Sequence, residues 1–258
     1  MWTGEGVDRT RKQGGLMIPN PIGLKKRMRE GQQILGASLS ADTDSDRIRA
    51  VVDSGPYDFI SVDSQHSALS EKRLLSFCGL CNNLGVFVQF RIKHTRNAYL
   101  IGNYLDLGPC GVEVPQTELD ETVVESLKSF YFPPEGGRSF GGRARRGAAD
   151  HLDPVAYGAW WNTYGILWMQ IESIEAVTRA HILAKPGVDC LSFGPTDLMF
   201  SLKGHPNHHL KTVDDCVAYV ARSLEGTGVS VCHRIGSSEN RQKFVDMGVT
   251  VLLESASI

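Results

Sequence analysis

The sequence contains no apolar run near the roughly 18 residues that a membrane span requires. It also lacks an excess of basic charge: 27 Lys and Arg stand against 29 Asp and Glu in 258 residues, a formal net charge of −2. The first absence excludes a helical membrane protein, and the second argues against a general nucleic-acid binder. The opening Met1-Trp2-Thr3-Gly4-Glu5-Gly6 does not have the pattern of a secretory leader. Six cysteines (Cys78, Cys81, Cys110, Cys190, Cys216, Cys232) are scattered through apolar or helical contexts. That usage fits a reduced, cytoplasmic compartment rather than a disulfide framework. What remains is 41% hydrophobic and 22% charged, the make-up of a soluble globular chain long enough to bury a core without staples.

Thr3 to Gly15 is rich in Gly, Arg and Lys and has no apolar period, so residues 1–20 read as a flexible or docking arm and 21–258 as one domain. Leu24 to Arg29 predicts a short basic helix ended by Gly31, its charges forming a solvated face, with nucleic-acid contact as the alternative. Beyond it, short β-branched or aromatic runs alternate with helical patterns. Strands are expected at 34–39, 59–62, 86–92, 111–114, 166–171, 190–193, 229–232 and 249–253. Helices are expected at 45–53, 70–82, 97–107, 173–184, 213–224 and 239–247, several with a capping serine at the start or a glycine at the end. Eight such units give either a (β/α)8 barrel or a doubly wound sheet. Ser40-Ala41-Asp42-Thr43 follows the first strand where a dinucleotide fold would place Gly-x-Gly-x-x-Gly, which favours the barrel. About 238 residues from Pro21 accommodate eight strands and seven following helices, at roughly 30 residues per unit, so the final helix is expected to be missing.

Barrel enzymes carry their chemistry at the carboxyl ends of the strands. Here strand two ends in Asp63-Ser64-Gln65-His66, strand three carries Arg91, strand five ends in Gln170-Ile171-Glu172, and strand six runs into Gly194-Pro195-Thr196-Asp197. Two carboxylates with oxygen-rich neighbours suit a hard cation such as Mg²⁺ or Mn²⁺. A histidine there can move a proton and an arginine can hold an anionic oxygen. Taken singly, Asp197 and Glu172 also read as helix caps, and His66 as a structural histidine. An arginine inside an apolar strand is harder to explain structurally, because an unpaired charge there is costly.

These landmarks resemble the HpcH/HpaI aldolase family, which includes macrophomate synthase. The resemblance rests on Asp63-Ser-Gln-His66, Arg91, Val114-Pro115, Phe132-Pro-Pro-Glu-Gly-Gly-Arg138, Tyr157-Gly-Ala-Trp-Trp-Asn162, Gln170-Ile-Glu172 and Gly194-Pro-Thr-Asp-Leu198, followed by Gly204-His-Pro206. It implies a metal-dependent class II pyruvate aldolase acting on 4-hydroxy-2-oxo acids or 2-keto-3-deoxy sugar acids, a carbon–carbon lyase commonly assembled as a homo-oligomer. Glu172 and Asp197 would hold the metal, with Gln170 beside them, and amides around Pro195, Thr196 and Asp197 would bind the 2-oxo acid carboxylate. Arg91 would stabilise the enolate oxygen, and His66, paired with Asp106 or Asp63, would act as base. No lysine nucleophile is required.

The chain departs from the family pattern at Gln65, where a glutamate is usual, at Glu113 in strand four, at Glu254 in strand eight, and in lacking a last helix. These departures motivate two alternatives: an oxaloacetate-decarboxylating synthase of the macrophomate synthase kind, and a non-catalytic barrel used for binding or assembly. The glycine- and arginine-rich segment Gly136–Arg146 reads either as an exposed hinge or as a lid. The favoured mixture puts Arg138 near the pocket, with Tyr157 also contacting substrate, and leaves Arg143, Arg145 and Arg146 at the rim or a subunit contact. Trp160, Trp161 and Tyr164 are expected to pack against a neighbouring helix or subunit. Cys78-Gly-Leu-Cys81 reads as core packing, and the histidines 205, 208 and 209 as a structural loop.

Overall fold

The alternation of short apolar runs and helical segments resolves into a closed parallel barrel in a computed structural model. Residues 23–256 are described, with the backbone of Lys12–Gln13 and Leu16–Met17, which pair antiparallel; the expected arm otherwise lies outside the described residues. The chain enters through α1 (Leu24–Arg29). The barrel strands are β1 (Ile34–Ser38), β2 (Phe59–Asp63), β3 (Val88–Arg91), β4 (Gly111–Val114), β5 (Ile166–Ile171), β6 (Cys190–Phe193), β7 (Ser230–Ile235) and β8 (Val251–Ser255). Each pairs in parallel with its neighbours, and β8 closes on β1. All eight expected strands are present, with ends shifted by up to three residues at β7.

Helices wrap the outside. They are α2 (Ser45–Ser54), α3 (Glu71–Asn83), α4 (Ile101–Leu105), α5 (Asp120–Phe130), α6 (Pro154–Tyr164), α7 (Ile174–Thr178), α8 (Ala180–Leu183), α9 (Pro195–Gly204), α10 (Val213–Ser223) and α11 (Arg241–Asp246). Several begin at a side chain that satisfies an open backbone N–H. Asp44 accepts from the Arg47 amide at 2.8 Å and Ser70 from the Arg73 amide at 3.3 Å, and Thr212 with Asp215 forms a reciprocal capping box. Sequence periodicity does not single out α5 and α6, and α9, expected to begin after Asp197, begins at Pro195. No helix follows β8 among the described residues, and none of them is long and apolar enough to cross a membrane.

The barrel interior changes character along its axis. Phe59 on β2 and Trp168 on β5 meet edge to face at 5.3 Å, so both point inward. Register partners share a face in a sheet. Gly36 is level with Phe59, Ser61 with Gln89, Arg91 with Glu113, and Gln170 with Ser192, which places all of them inside. A Cβ on Gly36 would collide with the Phe59 ring, so only glycine lets that ring fill the lower barrel. Above the aromatic layer the inward residues become polar: Ser61, Arg91, Glu113, Gln170, Ser192 and Arg234.

The amino-terminal end is closed by α1, whose Lys26 and Arg29 are exposed while Lys25 and Arg27 turn inward, so its charges are only in part a solvated face. Lys25 is 3% exposed and donates to the Tyr131 hydroxyl at 2.7 Å and the Gly165 carbonyl at 2.6 Å, with Asp189 at 3.1 Å. Arg27 pairs with Asp58 at 2.6 Å and Arg29 with Asp189 at 3.2 Å. Asp58 and Asp189 immediately precede β2 and β6 and also accept from the Leu35 and Leu167 amides. The basic run is thus matched to carboxylates at the barrel floor, a pairing between residues up to 164 positions apart that helical periodicity does not register.

Candidate active site

The turn after β2 is organised by one carboxylate. Asp63 receives Arg91 through two parallel bonds, Nε to Oδ1 at 2.8 Å and Nη2 to Oδ2 at 2.7 Å. It also accepts from the amides of Gln65 at 2.8 Å and His66 at 3.3 Å. Burial pushes its carboxyl up, but the Arg91 guanidinium and the two amides outweigh it and hold the group below the usual range. Asp63 therefore fixes both the arginine and the turn carrying His66, whose ring lies exposed at the rim. With its oxygens so engaged, Asp63 supports the turn through backbone and makes no bond to the imidazole.

Across the mouth, Arg91 Nη1 donates to Gln170 Oε1 at 3.2 Å. Two residues on, Glu172 is 7% exposed and accepts the Gln116 amide at 2.9 Å. Gln116 adopts a left-handed φ of 47°, unusual away from glycine, and this strained turn after β4 was not foreseen from sequence. A Cβ at Gly194 would strike both the Glu172 carboxylate and the Gln170 amide, so the glycine makes room for them. Burial, reinforced by Asp197, raises the Glu172 carboxyl to about 7.

Neither carboxylate caps a helix. Ser173 caps α7 by accepting from the Ala176 amide, and α9 starts at Pro195 with no side-chain cap, leaving Asp197 exposed in its first turn. Proline at the first position has no N–H, so the open donors of this helix start are the amides of Thr196 and Asp197. Two proximate carboxylates, one of them resisting ionisation, suit a divalent cation that keeps water or substrate oxygens in its shell. Among the described residues no group of three or more His, Cys, Asp or Glu could hold a metal by itself.

Glu113 and Arg234 form a couple that sequence reading did not assemble. Glu113 is fully buried and accepts from Arg234 Nη2 at 2.7 and 2.6 Å and from the Ser192 hydroxyl at 2.5 Å. Burial pushes its carboxyl up, but Arg234 and Arg91 hold it below the usual range. The only sequence signal was a carboxylate in an apolar strand, whose partner lies 121 residues away.

Three expected site residues lie at the other end of the barrel. Asp106 follows α4 and precedes β4, at the amino-terminal face, and binds Arg138 at 2.9 Å. That position is opposite His66, so the two do not pair within the chain. Arg138 is buried between the Phe132 and Trp161 rings, 4.9 and 4.7 Å from their centroids, and burial lowers its pKa from the ordinary guanidinium value. Tyr157 is wholly buried, donates to the Arg146 carbonyl at 3.1 Å, and is pushed by burial to about 12. Arg145 lies over Phe140 and Tyr157, and Arg146 reaches the Val86 carbonyl just before β3. The glycine- and arginine-rich segment therefore packs on the floor side and does not cover the mouth of its own barrel. The reason is topological: it joins α5 to α6, and that connection runs at the amino ends of the strands.

The remaining expectations concern packing. All six cysteines are buried and unpaired, and burial pushes the thiols of Cys78 and Cys81 up, away from nucleophilic character. His205 binds Glu175 at 3.0 Å and the Ser201 carbonyl at 2.8 Å. A hollow of about 690 Å³ opens at the floor between α1 and the turns preceding β7 and β8, remote from every residue of the mouth.

The geometry can be set beside known proteins. A hydroxypyruvate/pyruvate aldolase of Roseobacter denitrificans is 28% identical over 191 residues, 72% of each chain. A 2-keto-3-deoxy-L-rhamnonate aldolase of Salmonella gallinarum is 25% identical over 219 residues, 82% of this chain and 79% of that one. The crystal structure of an HpcH/HpaI aldolase from Desulfitobacterium hafniense superposes with a TM-score of 0.79 at 28% identity, covering 91% of this chain and 90% of the other. The family model for HpcH/HpaI aldolase/citrate lyase matches residues 46–252. With the barrel and its polar mouth in place, that match settles the kinship: the chain belongs to the HpcH/HpaI aldolase/citrate lyase family.

Proposed function

We propose that this protein is a divalent-metal-dependent carbon–carbon lyase of the aldehyde-lyase type. It makes or breaks a bond next to a pyruvate enolate in a 4-hydroxy-2-oxo acid or a 2-keto-3-deoxy sugar acid. The observation that carries the reading is the pair Glu172 and Asp197, neither capping a helix, beside Arg91 at the carboxyl ends of β5, β6 and β3. These two carboxylates would hold Mg²⁺ or Mn²⁺, which supplies Lewis-acid charge when bound.

The chain's own groups account for the rest. The amides of Thr196 and Asp197, at the start of the ten-residue α9, bind the substrate carboxylate, as helix starts bind anions. Arg91, held rigid by Asp63 and Gln170, keeps its remaining N–H donors toward the oxygen that gains charge as the bond breaks. His66 takes the proton from the 4-hydroxyl at the open rim. Asp106 sits beside Arg138 at the floor of its own barrel, so a pairing with His66 would have to form between copies in a homo-oligomer.

The test is pyruvate release from a panel of 4-hydroxy-2-oxo acids, with Mg²⁺ and with chelator. Turnover is expected to require the metal, and Arg91→Ala is expected to lower kcat by about 10²- to 10³-fold. Absence of any metal-dependent turnover, oxaloacetate decarboxylation included, overturns the proposal.

A further inference from the structure

We propose that Arg234 is a positioning residue for the carboxylate pair Glu172 and Asp197. Anchored on Glu113, it pins the peptide between Phe193 and Gly194 and so fixes the start of α9, where Asp197 and the open amides stand. The proposal deepens the lyase reading and rests on it for the use made of Asp197.

The need arises at Gly194. A Cβ there would strike the Glu172 carboxylate and the Gln170 amide, so the position between β6 and α9 has to be glycine. Glycine is the residue whose backbone turns most freely, and α9 has no side-chain cap to steady its first turn. Both polar atoms of the peptide that enters this glycine are nevertheless held. The Gly194 N–H donates to the Ile171 carbonyl on β5 at 3.3 Å. On the other side the ladder between β6 and β7 ends at Ser192 and Cys232, and the next carbonyl, that of Phe193, accepts Arg234 Nη1 at 3.0 Å. With the peptide plane fixed, the Gly194 carbonyl accepts the Leu198 amide at 3.0 Å and α9 leaves β6 in one direction.

Glu113 makes the brace stiff and electrically silent. It takes Arg234 Nη2 on both oxygens, at 2.7 and 2.6 Å, and also accepts the Ser192 hydroxyl, so the couple grips the last two residues of β6. A bare guanidinium close enough to feel the Glu172 charge would compete with a divalent cation; paired with a wholly buried carboxylate, it does not. Stability alone does not account for the pair. A buried ion pair gains little over apolar side chains of similar size, and the inward positions of a barrel are ordinarily filled by branched apolar residues. Outside the pair itself, the side-chain hydrogen bonds of Glu113 and Arg234 among the described residues end on β6, at the root of α9.

The experiment is amide hydrogen exchange on the full chain without metal, followed by Mg²⁺ calorimetry, in two variants. Glu113→Gln/Arg234→Gln removes both charges. Arg234→Lys keeps the charge against Glu113 but loses the planar fork, and guards against misfolding of the double variant. Neither changes the summed charge beneath Glu172, so a shift in Mg²⁺ affinity reports geometry. In both, the Gly194 and Leu198 amides are expected to exchange about 10-fold faster, the worth of one hydrogen bond, while the Leu167 amide at the floor keeps its rate. The Mg²⁺ dissociation constant is expected to rise about 3- to 10-fold. Unchanged exchange at Gly194 and Leu198, an equal acceleration at Leu167, or an unchanged dissociation constant overturns the proposal. Absence of Mg²⁺ binding in the wild type, with the selective acceleration intact, leaves the brace on α9 standing and sinks the lyase reading, so the two failures are distinguishable.

Discussion

Both ends of the barrel carry buried charge, and they use it differently. At the floor the ions around α1 are matched, Lys25 and Arg29 on Asp189 and Arg27 on Asp58, whereas Arg138 meets Asp106 but leaves its Nε and Nη1 unpaired among the described residues. Asp58 and Asp189 also accept backbone amides of the adjoining strands, so little capacity remains on them for a ligand. At the mouth Glu172 accepts one amide and faces another carboxylate, and Arg91 and Arg234 keep open donors. Saturated charges hold a structure together, whereas unsaturated ones in a concave site are available for chemistry.

The largest effect that would test this contrast is at the floor. Lys25→Met removes the best-buried cation from Asp189 and is expected to cost about 3–5 kcal/mol of stability. Denaturant unfolding should show that loss while kcat of the folded fraction is retained; a loss of kcat at unchanged stability would erase the contrast.

Next comes the mouth itself, through pH. Because the folded-state value of Glu172 is raised from 4.5 to about 7, the metal-free folded protein binds more protons than the unfolded chain between those limits. Stability should therefore fall as pH rises through that window, by linkage. A divalent cation competes with the same proton, so Mg²⁺ affinity should rise about tenfold per pH unit up to about 7 and then level off. Calorimetry from pH 5.5 to 8.5 measures this, and Glu172→Gln should flatten the profile.

The smallest effect is expected from a third polar group that belongs to neither end. Glu254 points outward from β8, where Arg241 binds it and Tyr57 donates to it at 2.8 Å. Burial and that bond raise the Tyr57 hydroxyl to about 12. Tyr57→Phe should cost about 0.5–1.5 kcal/mol with no change in KM. A change in KM would show that this cluster communicates with the mouth.

The legible part of the site was its local part. Asp63, His66, Arg91, Gln170, Glu172 and Asp197 stand immediately at strand ends, and strand ends are visible as apolar runs meeting polar residues. The strand expected at 229–232 stops two residues before Arg234, so the inward position of that arginine is not visible in the apolar run. The resemblance and the lid reading put Asp106, Tyr157 and Arg138 at the pocket, but neither says at which end of the barrel a connection runs. The bland readings of Glu172 and Asp197 as caps fail on one observation each: Ser173 caps α7, and α9 begins two residues before Asp197.

By itself the sequence determined the barrel, because buried parallel strands must be short continuous apolar runs and the helices between them must be amphipathic and capped. Tertiary structure alone decided which charges face each other. Ion pairs such as Glu113 with Arg234 and Lys25 with Asp189 form between residues more than a hundred positions apart, the first across the barrel interior and the second at its floor. Their energies depend on distance and burial, quantities that exist only once the barrel has closed.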